Sequence, residues 1–285
     1  MAMLSLSVVR ETGETVYSTE CKDEVTLSWR GAYEPGDKLV IHCDEAPVHL
    51  VLKLDAALVE SHVLMERDTF EFPIPLGEGQ KAYGKGWAFE DERHYAYARI
   101  EDTREAGAWR CLSRNSCDYE GAQGIYPHAT SNIPMDNPQF IARNAIDGVI
   151  ETSSHGSWPH ESWGVAGRAD AWLKIDFGEK VVADELRLYL RADFPHDTCW
   201  ESAKLELSDG SVLDLSLEKT GERQAFDLGG RRLSWVKIGQ LVKRDEDGFP
   251  GLSQIEVWGR RGETAQNGGP NDRFSGVAPQ EGTDA

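Results

Sequence analysis

The sequence of 285 residues lacks any long apolar run. No stretch approaches the roughly 18 residues that a membrane-spanning helix needs, which excludes a helical membrane protein. The first ten residues also lack a basic segment followed by an apolar one, so no secretory signal is visible. A signal peptide that had already been removed would leave the same sequence, and the protein would then be secreted.

Positive charge is scarce. The chain has 30 Lys and Arg against 49 Asp and Glu, which gives a formal net charge of -19. A surface this acidic repels phosphate backbones and anionic lipid headgroups. We therefore expect neither a nucleic acid nor a membrane surface as partner, whereas neutral ligands remain open.

Cysteine is also sparse, and its spacing is uninformative. The five residues include no CxxC pair: Cys21, Cys43, Cys111, Cys117 and Cys199. An odd number without close pairs argues against a disulfide framework and against a structural zinc site. Reduced thiols favour a cytoplasmic location.

The residues that are present predict a β-rich chain with a substantial core. Hydrophobic residues make up 40% of the sequence, including 9 Trp, 8 Tyr and 9 Phe. Short segments such as Val25–Trp29 and Lys38–His42 are separated by turn residues, and several alternate with period two. Only residues 56–65 are compatible with a short helix. This pattern predicts a β-sandwich of unassigned role over residues 1–125.

The second half follows an aperiodic segment. Residues 111–138 are crowded with Gly, Pro and Asn, and we interpret residues 126–137 as a linker between two domains. Strand patterns resume over residues 138–260, where Leu186, Leu188 and Leu190 alternate with polar positions. Hydrophobic residues become sparse after residue 260, so residues 261–285 are predicted to be a disordered tail.

Four motifs in this second half resemble a known superfamily. They are Asn144-Ala-Ile-Asp-Gly148 followed by Thr152, Trp172–Gly178, Leu207–Gly210 and Leu252–Gly259. Their order and spacing resemble the galactose-binding-like superfamily (discoidin or coagulation factor type C), which includes several carbohydrate-binding modules. The resemblance implies an all-β fold in which the C-terminal domain is a jelly roll, and nothing comparable identifies the first half.

The resemblance also implies a structural Ca²⁺ at the Asn144–Gly148 turn. Carried over to this sequence, the ligands are Asn144, Asp147, Val149, Thr152, Ser253 and Gln254. Hard Ca²⁺ takes six or more oxygen ligands, and a tight turn brings several together. Val149 stands where the superfamily often has Asn or Asp, and Gln254 stands where it usually has Glu, so Asp147 is the only carboxylate. The alternative is that Asp147 and Gly148 simply form the turn, with the carboxylate accepting backbone N–H groups.

A cluster of His, Trp and charged residues lies outside the general pattern of the superfamily. By analogy with the fold, the loop after the Asn144–Gly148 turn and the loop after Leu190 meet at one end of the sandwich. Indole rings can stack on the apolar face of a sugar, while charged groups bind its hydroxyls. The predicted carbohydrate-binding residues are His128, His155, Trp158, His160, Trp163, Arg191, Asp193, His196 and Trp200. Loop Trp residues that merely seal the sandwich are the alternative.

Two further functions stay open. The same cluster contains groups suited to acid–base catalysis, namely His160, Glu161, Asp193 and His196, which would make the protein a cytoplasmic hydrolase or lyase acting on a sugar. No HExxH, GxSxG or phosphate-binding motif supports a specific reaction. A structural or interaction protein, in which the first sandwich pairs with another subunit, is the third hypothesis.

Overall fold

The computed structural model describes residues 2–84, 86–192, 198–245 and 248–262. Within these ranges the chain is built almost entirely of antiparallel strands around two hydrophobic cores, one in each half of the sequence. No helix in these ranges is long and apolar enough to cross a membrane. The five cysteines are all free thiols.

The N-terminal half is a sandwich of two sheets. Its strands are β1 (Met3–Val9), β2 (Thr15–Lys22), β3 (Glu24–Arg30), β4 (Lys38–Cys43), β5 (Val48–Lys53), β6 (Ser61–Met65), β7 (Thr69–Pro73) and β8 (Arg93–Ile100). One sheet has the order β2-β1-β4-β7, and the other contains β6-β5-β8-β3. Strict alternation buries one face of each strand, so that Val25, Leu27 and Trp29 of β3 point into the core.

Helices are short and lie at the margins of the sandwiches. The one α-helix of the described residues is α1 (Thr103–Ala106), and the 3₁₀ helices are Gly77–Ala82, Pro138–Phe140 and Ala142–Ala145. The helix proposed within residues 56–65 is wrong, because Ser61–Met65 forms β6. Ser61, Val63 and Met65 alternate inward there, and a period of two over five residues is too short to separate from a helical pattern.

The C-terminal half is a jelly-roll sandwich. Its strands are β12 (Trp163–Gly164), β13 (Leu173–Arg191), β14 (Trp200–Leu207), β15 (Val212–Ser216), β16 (Gln224–Lys243) and β17 (Gly251–Arg261). The long strands β13 and β16 pair along most of their length, and their register shifts between Asp176 and Val181. This register shift bends the strands. Leu173 and Leu186, on either side of the bend, therefore belong to the same hydrophobic core.

Three short strands lie along residues 110–131. They are β9 (Arg110–Cys111), β10 (Ile125–Tyr126) and β11 (His128–Ser131), which pair with β17, β6 and β13 respectively. The predicted linker of residues 126–137 therefore overlaps strands that pair with both sandwiches. Strands of two to four residues are too short to show periodicity in sequence. The predicted tail falls outside the described residues from residue 263 on, while Arg261 still belongs to β17.

A buried arginine joins the two halves. The Arg143 side chain is 2% exposed, and its guanidinium donates to the carbonyl oxygens of Ala82 at 2.5 Å and Ser116 at 3.1 Å. The same group lies 4.1 Å from the ring centre of Tyr83. Because both carbonyls belong to segments preceding the second sandwich, these contacts fix the second half against the first.

Candidate functional site

A cleft opens at one end of the C-terminal sandwich, and we call it the rim cleft. It has a volume of about 330 Å³, and the loop around His155 meets the end of β13 at Arg191 there. Its apolar walls come from Met135, Phe140, Val165, Phe249 and Pro250. A mostly apolar concavity with a few polar groups is the usual character of a small-molecule site.

Phe249 provides the most accessible aromatic surface of this cleft. The residue is 65% exposed and lies in the turn between β16 and β17. The Arg191 guanidinium donates to the Phe249 carbonyl oxygen and lies 5.7 Å from the Phe140 ring centre. Arg191 is only 4% exposed. Its contacts with Phe249 and Phe140 position these two aromatic walls, and Arg191 also lines the cleft. Phe249 was not predicted from the sequence, although its position between Gly248 and Pro250 indicates an aromatic residue in a loop.

Two of the predicted aromatic platforms are buried. Trp163 and Trp200 are each 1% exposed, and their rings pack 6.1 Å apart within the core of the second half. Trp163 donates its Nε1–H to Ser131 Oγ at 3.1 Å, which satisfies the indole inside the protein. Neither ring presents a face to a ligand, and this corrects the expectation from sequence. Trp163 lies on the two-residue strand β12 and Trp200 at the start of β14, so no regular alternation in the sequence indicated their burial.

Trp158 lies at the contact between the two halves. It is half-buried, and its backbone N–H donates to the Lys81 carbonyl oxygen at 3.2 Å. Its ring centre is 5.7 Å from that of Trp87, which is 71% exposed. Gly84 allows this approach, because a Cβ there would lie 3.3 Å from the Trp158 ring. Trp87 was not predicted as a site residue from the sequence, although the two closely spaced glycines before it indicate that it lies in a loop.

Of the residues proposed for acid–base catalysis, the structure describes His160 and Glu161, and these two do not share an open site. Glu161 is 3% exposed, so a substrate cannot reach its carboxyl group in this structure. His160 Nδ1 lies 4.0 Å from Glu151 Oε1 near the surface. Asp193 and His196 fall outside the described residues. The described part of the chain therefore shows no assembled catalytic pair in the rim cleft.

His128 lines a second, smaller cleft of about 120 Å³ between the halves. Its Nδ1 donates to Asp118 Oδ1 at 2.6 Å, and the other carboxylate oxygen accepts the Ala129 N–H at 2.9 Å. Burial opposes the charged form of His128, but the hydrogen bond and charge of Asp118 outweigh burial, so its pKa is raised. Met135 lines both clefts, which therefore adjoin, but His128 does not line the rim cleft.

The predicted calcium turn forms as a tight turn. Asp147 Oδ1 accepts the Val149 N–H at 2.8 Å, and Gly148 has a φ of 89°, which favours glycine. Thr152 Oγ1 donates to the Gly221 carbonyl at 3.4 Å, and Ser253 Oγ donates to the Glu151 carbonyl at 3.0 Å. These contacts agree with the simpler interpretation of Asp147 as a turn residue, and they do not require a metal.

A second carboxyl group nevertheless faces Asp147. Burial raises the pKa of both side chains, that of Glu161 to about 9, with the nearby charge of Asp147 as a second cause. Arg143 Nη1 lies 3.7 Å from Asp147 Oδ2. Both Glu161 oxygens and the amide group of the fully buried Gln254 have no hydrogen-bond partner within the protein.

These groups fit a hard cation by their chemistry. Asp147, Glu161 and Gln254 offer the carboxylate and amide oxygens that Ca²⁺ prefers, and unpartnered buried oxygens are rare without an ion or water. Among the described residues, no three His, Cys, Asp or Glu side chains meet, so carbonyl oxygens would have to complete the coordination. Glu161 was predicted as a catalytic residue, and its position beside Asp147 was not foreseen from the sequence.

Comparison with known proteins gives likeness to solved structures only. No family model matches the sequence, and no curated protein matches it. The solved structures that it resembles over about half the chain include carbohydrate-binding modules and lectin domains, the kind of protein that the sequence motifs resemble.

The lectin domain of lectinolysin, complexed with Lewis B antigen, is 14% identical, with a TM-score of 0.40 over 52% of this chain and 95% of that chain. A chitosan-binding module from a Paenibacillus chitosanase/glucanase is 18% identical, with a TM-score of 0.38 over 53% and 99%. A fucose-binding module from Streptococcus pneumoniae is 16% identical, with a TM-score of 0.39 over 52% and 96%.

Proposed function

We propose that the protein binds a carbohydrate in the rim cleft. The observation that carries the proposal is the pairing of the exposed Phe249 ring with His155 and Arg191 in one open, mostly apolar cleft. A pyranose has an apolar face that stacks on an aromatic ring and a rim of hydroxyls that bind polar groups. The volume of about 330 Å³ lies within the range of small-molecule sites.

Calorimetric titration with a panel of monosaccharides and short glycans tests this proposal. Phe249→Ala removes the ring, and because the side chain is largely exposed, the variant keeps its fold. We expect its affinity to fall by about tenfold, which corresponds to roughly 1.4 kcal/mol. Tyr17→Ala, at an exposed aromatic residue on β2 of the other half, is the matched control and should bind as the wild type does. Equal affinity of the Phe249→Ala variant would rule out this cleft.

We further propose that Ca²⁺ stabilises the C-terminal sandwich at Asp147, Glu161 and Gln254. Such an ion would pair with Glu161, whose oxygens lack donors, while Arg143 already lies near Asp147. An ion that binds only the folded state raises its stability by mass action. Saturating Ca²⁺ should raise the melting temperature of the EDTA-treated protein by about 5 °C, and this shift should vanish in Glu161→Gln. A melting temperature indifferent to Ca²⁺ would refute the site.

A further inference from the structure

Trp87 is the most exposed large hydrophobic residue among those the structure describes, at 71%. Its backbone is nevertheless firmly held. The next two residues, Ala88 and Phe89, are 0% and 2% exposed, and the Phe89 N–H donates to Asp55 Oδ2 at 3.1 Å. The indole therefore projects from a fixed segment of the first half and contributes little to the hydrophobic core. A rigid aromatic surface of this kind is typical of a recognition site.

Trp158, the neighbour of this ring, belongs to the loop that also contributes His155 to the rim cleft. Gln139 precedes the cleft residue Phe140, and its Nε2 donates to Oγ of Ser157, which precedes Trp158, at 2.8 Å. His155 lines the cleft only three residues before Trp158, so their Cα atoms are at most about 11 Å apart. The same loop thus contributes His155 to the rim cleft and Trp158 to the Trp87–Trp158 pair.

The contact between the halves holds this arrangement in place. The Trp158 N–H donates to Lys81, and Arg143 donates to Ala82 at the end of the same short 3₁₀ helix. Both donors belong to the second half and both acceptors to the first. Since the contacts involve backbone carbonyls, they fix the position of Trp87 relative to the cleft before any ligand arrives, and such preorganisation favours binding.

We propose that Trp87 and Trp158 form a second sugar subsite, so that the ligand is an oligosaccharide recognised by both halves of the chain. This inference rests on the proposed function of the rim cleft. One unit occupies the cleft against Phe249, and a later unit of the same glycan stacks on the exposed face of Trp87. The second contact is intramolecular once the first unit is bound, so it raises affinity by effective concentration.

The test measures how the contribution of the Trp87 side chain to affinity depends on the length of the sugar. Galactose, fucose and glucosamine, each with linear oligomers up to the hexasaccharide, are titrated calorimetrically into the wild type and Trp87→Ala. For any series that binds, the loss of Trp87 should weaken the longer oligomers by about tenfold and leave the monosaccharide unchanged. Trp87→Phe should restore most of the loss. Trp109→Ala removes a 48% exposed ring that stacks on Trp258 instead, and it should change nothing.

The remaining outcomes separate the two proposals. If monosaccharide and oligomers bind equally well, or if Trp87→Ala leaves the oligomer affinity unchanged, the second subsite is refuted while the rim cleft stands. If no sugar of any length binds the wild type, both proposals fail. If Phe249→Ala binds the sugars as tightly as the wild type does, the rim cleft is refuted, and the second subsite that rests on it is refuted too. Melting temperatures of the Trp87 variants within about a degree of the wild type confirm that only binding was changed.

Discussion

Two pairs of tryptophans differ in role despite their similar geometry. The rings of Trp163 and Trp200 lie 6.1 Å apart at a 40° tilt, and those of Trp87 and Trp158 lie 5.7 Å apart at 47°. The first pair is 1% exposed within one core. The second spans two halves of the chain, and one of its rings is 71% exposed. Ring geometry therefore does not separate the two pairs, whereas their exposure does.

The difference is one of energetic role. A buried indole contributes through the apolar area it removes from water and through close packing, so it stabilises the fold. An exposed indole leaves that area available, and a ligand gains by covering it. The buried pair should thus control stability and the exposed pair should control binding. Three experiments test this division, in order of decreasing effect.

The largest effect is expected for Trp163→Ala. Removal of a fully buried ring leaves a cavity and deletes the hydrogen bond from Trp163 Nε1 to Ser131 Oγ, which should lower the free energy of unfolding by about 3–5 kcal/mol. Trp87→Ala should lower it by less than about 0.5 kcal/mol. Urea denaturation of both variants provides the measurement. Similar losses in the two would show that the exposed ring also supports the fold.

An intermediate loss of stability is expected when a second contact between the halves, centred on Glu101, is broken. Glu101, at the end of the first sandwich, is bound by His62 at 2.8 Å and by Arg110 and Arg261. Burial would raise its pKa, but His62 and the two arginines outweigh burial and lower it from 4.5 to about 2. The stabilisation is thus complete above pH 4.5, and it is lost as the pH falls toward 2.

Glu101→Gln should cost about 3 kcal/mol at neutral pH and should lack this acid-dependent loss. Urea denaturation between pH 7 and about 2.5 measures both. Because Arg143 and Trp158 fix the exposed pair separately, the affinity for a bound oligosaccharide should not change. A loss of affinity would mean that the exposed pair depends on the whole contact between the halves rather than on its local anchors.

The smallest effect is expected for Gly84→Ala. Gly84 has a φ of 92°, and the added Cβ would meet the Trp158 ring at 3.3 Å. Gly13→Ala is a matched control, with a φ of 87° and no atom within 4 Å of the added Cβ. Both should lose about 1–2 kcal/mol from backbone strain. Only Gly84→Ala should alter the near-ultraviolet circular dichroism of the Trp87–Trp158 pair, and equal spectra would contradict the packing described here.

The sequence predicted the strands better than it predicted the site. Segments such as Val25–Trp29 alternate over a long enough run for one buried face to be visible, and β3 contains this segment. The strands of residues 111–138 escaped prediction because each has two to four residues. His155 and Arg191 were expected in one cleft and line it together. Phe249 and Trp87 were missed because isolated loop aromatics carry no periodic signal.

The sequence by itself determined the class of fold and the Asn144–Gly148 turn, because alternation and turn chemistry act over neighbouring residues. Only the tertiary structure decided which tryptophans are buried and placed Glu161 beside Asp147. It also brought Trp87 of the first half to Trp158 of the second. These outcomes depend on contacts between residues distant in sequence, and no local pattern encodes such contacts.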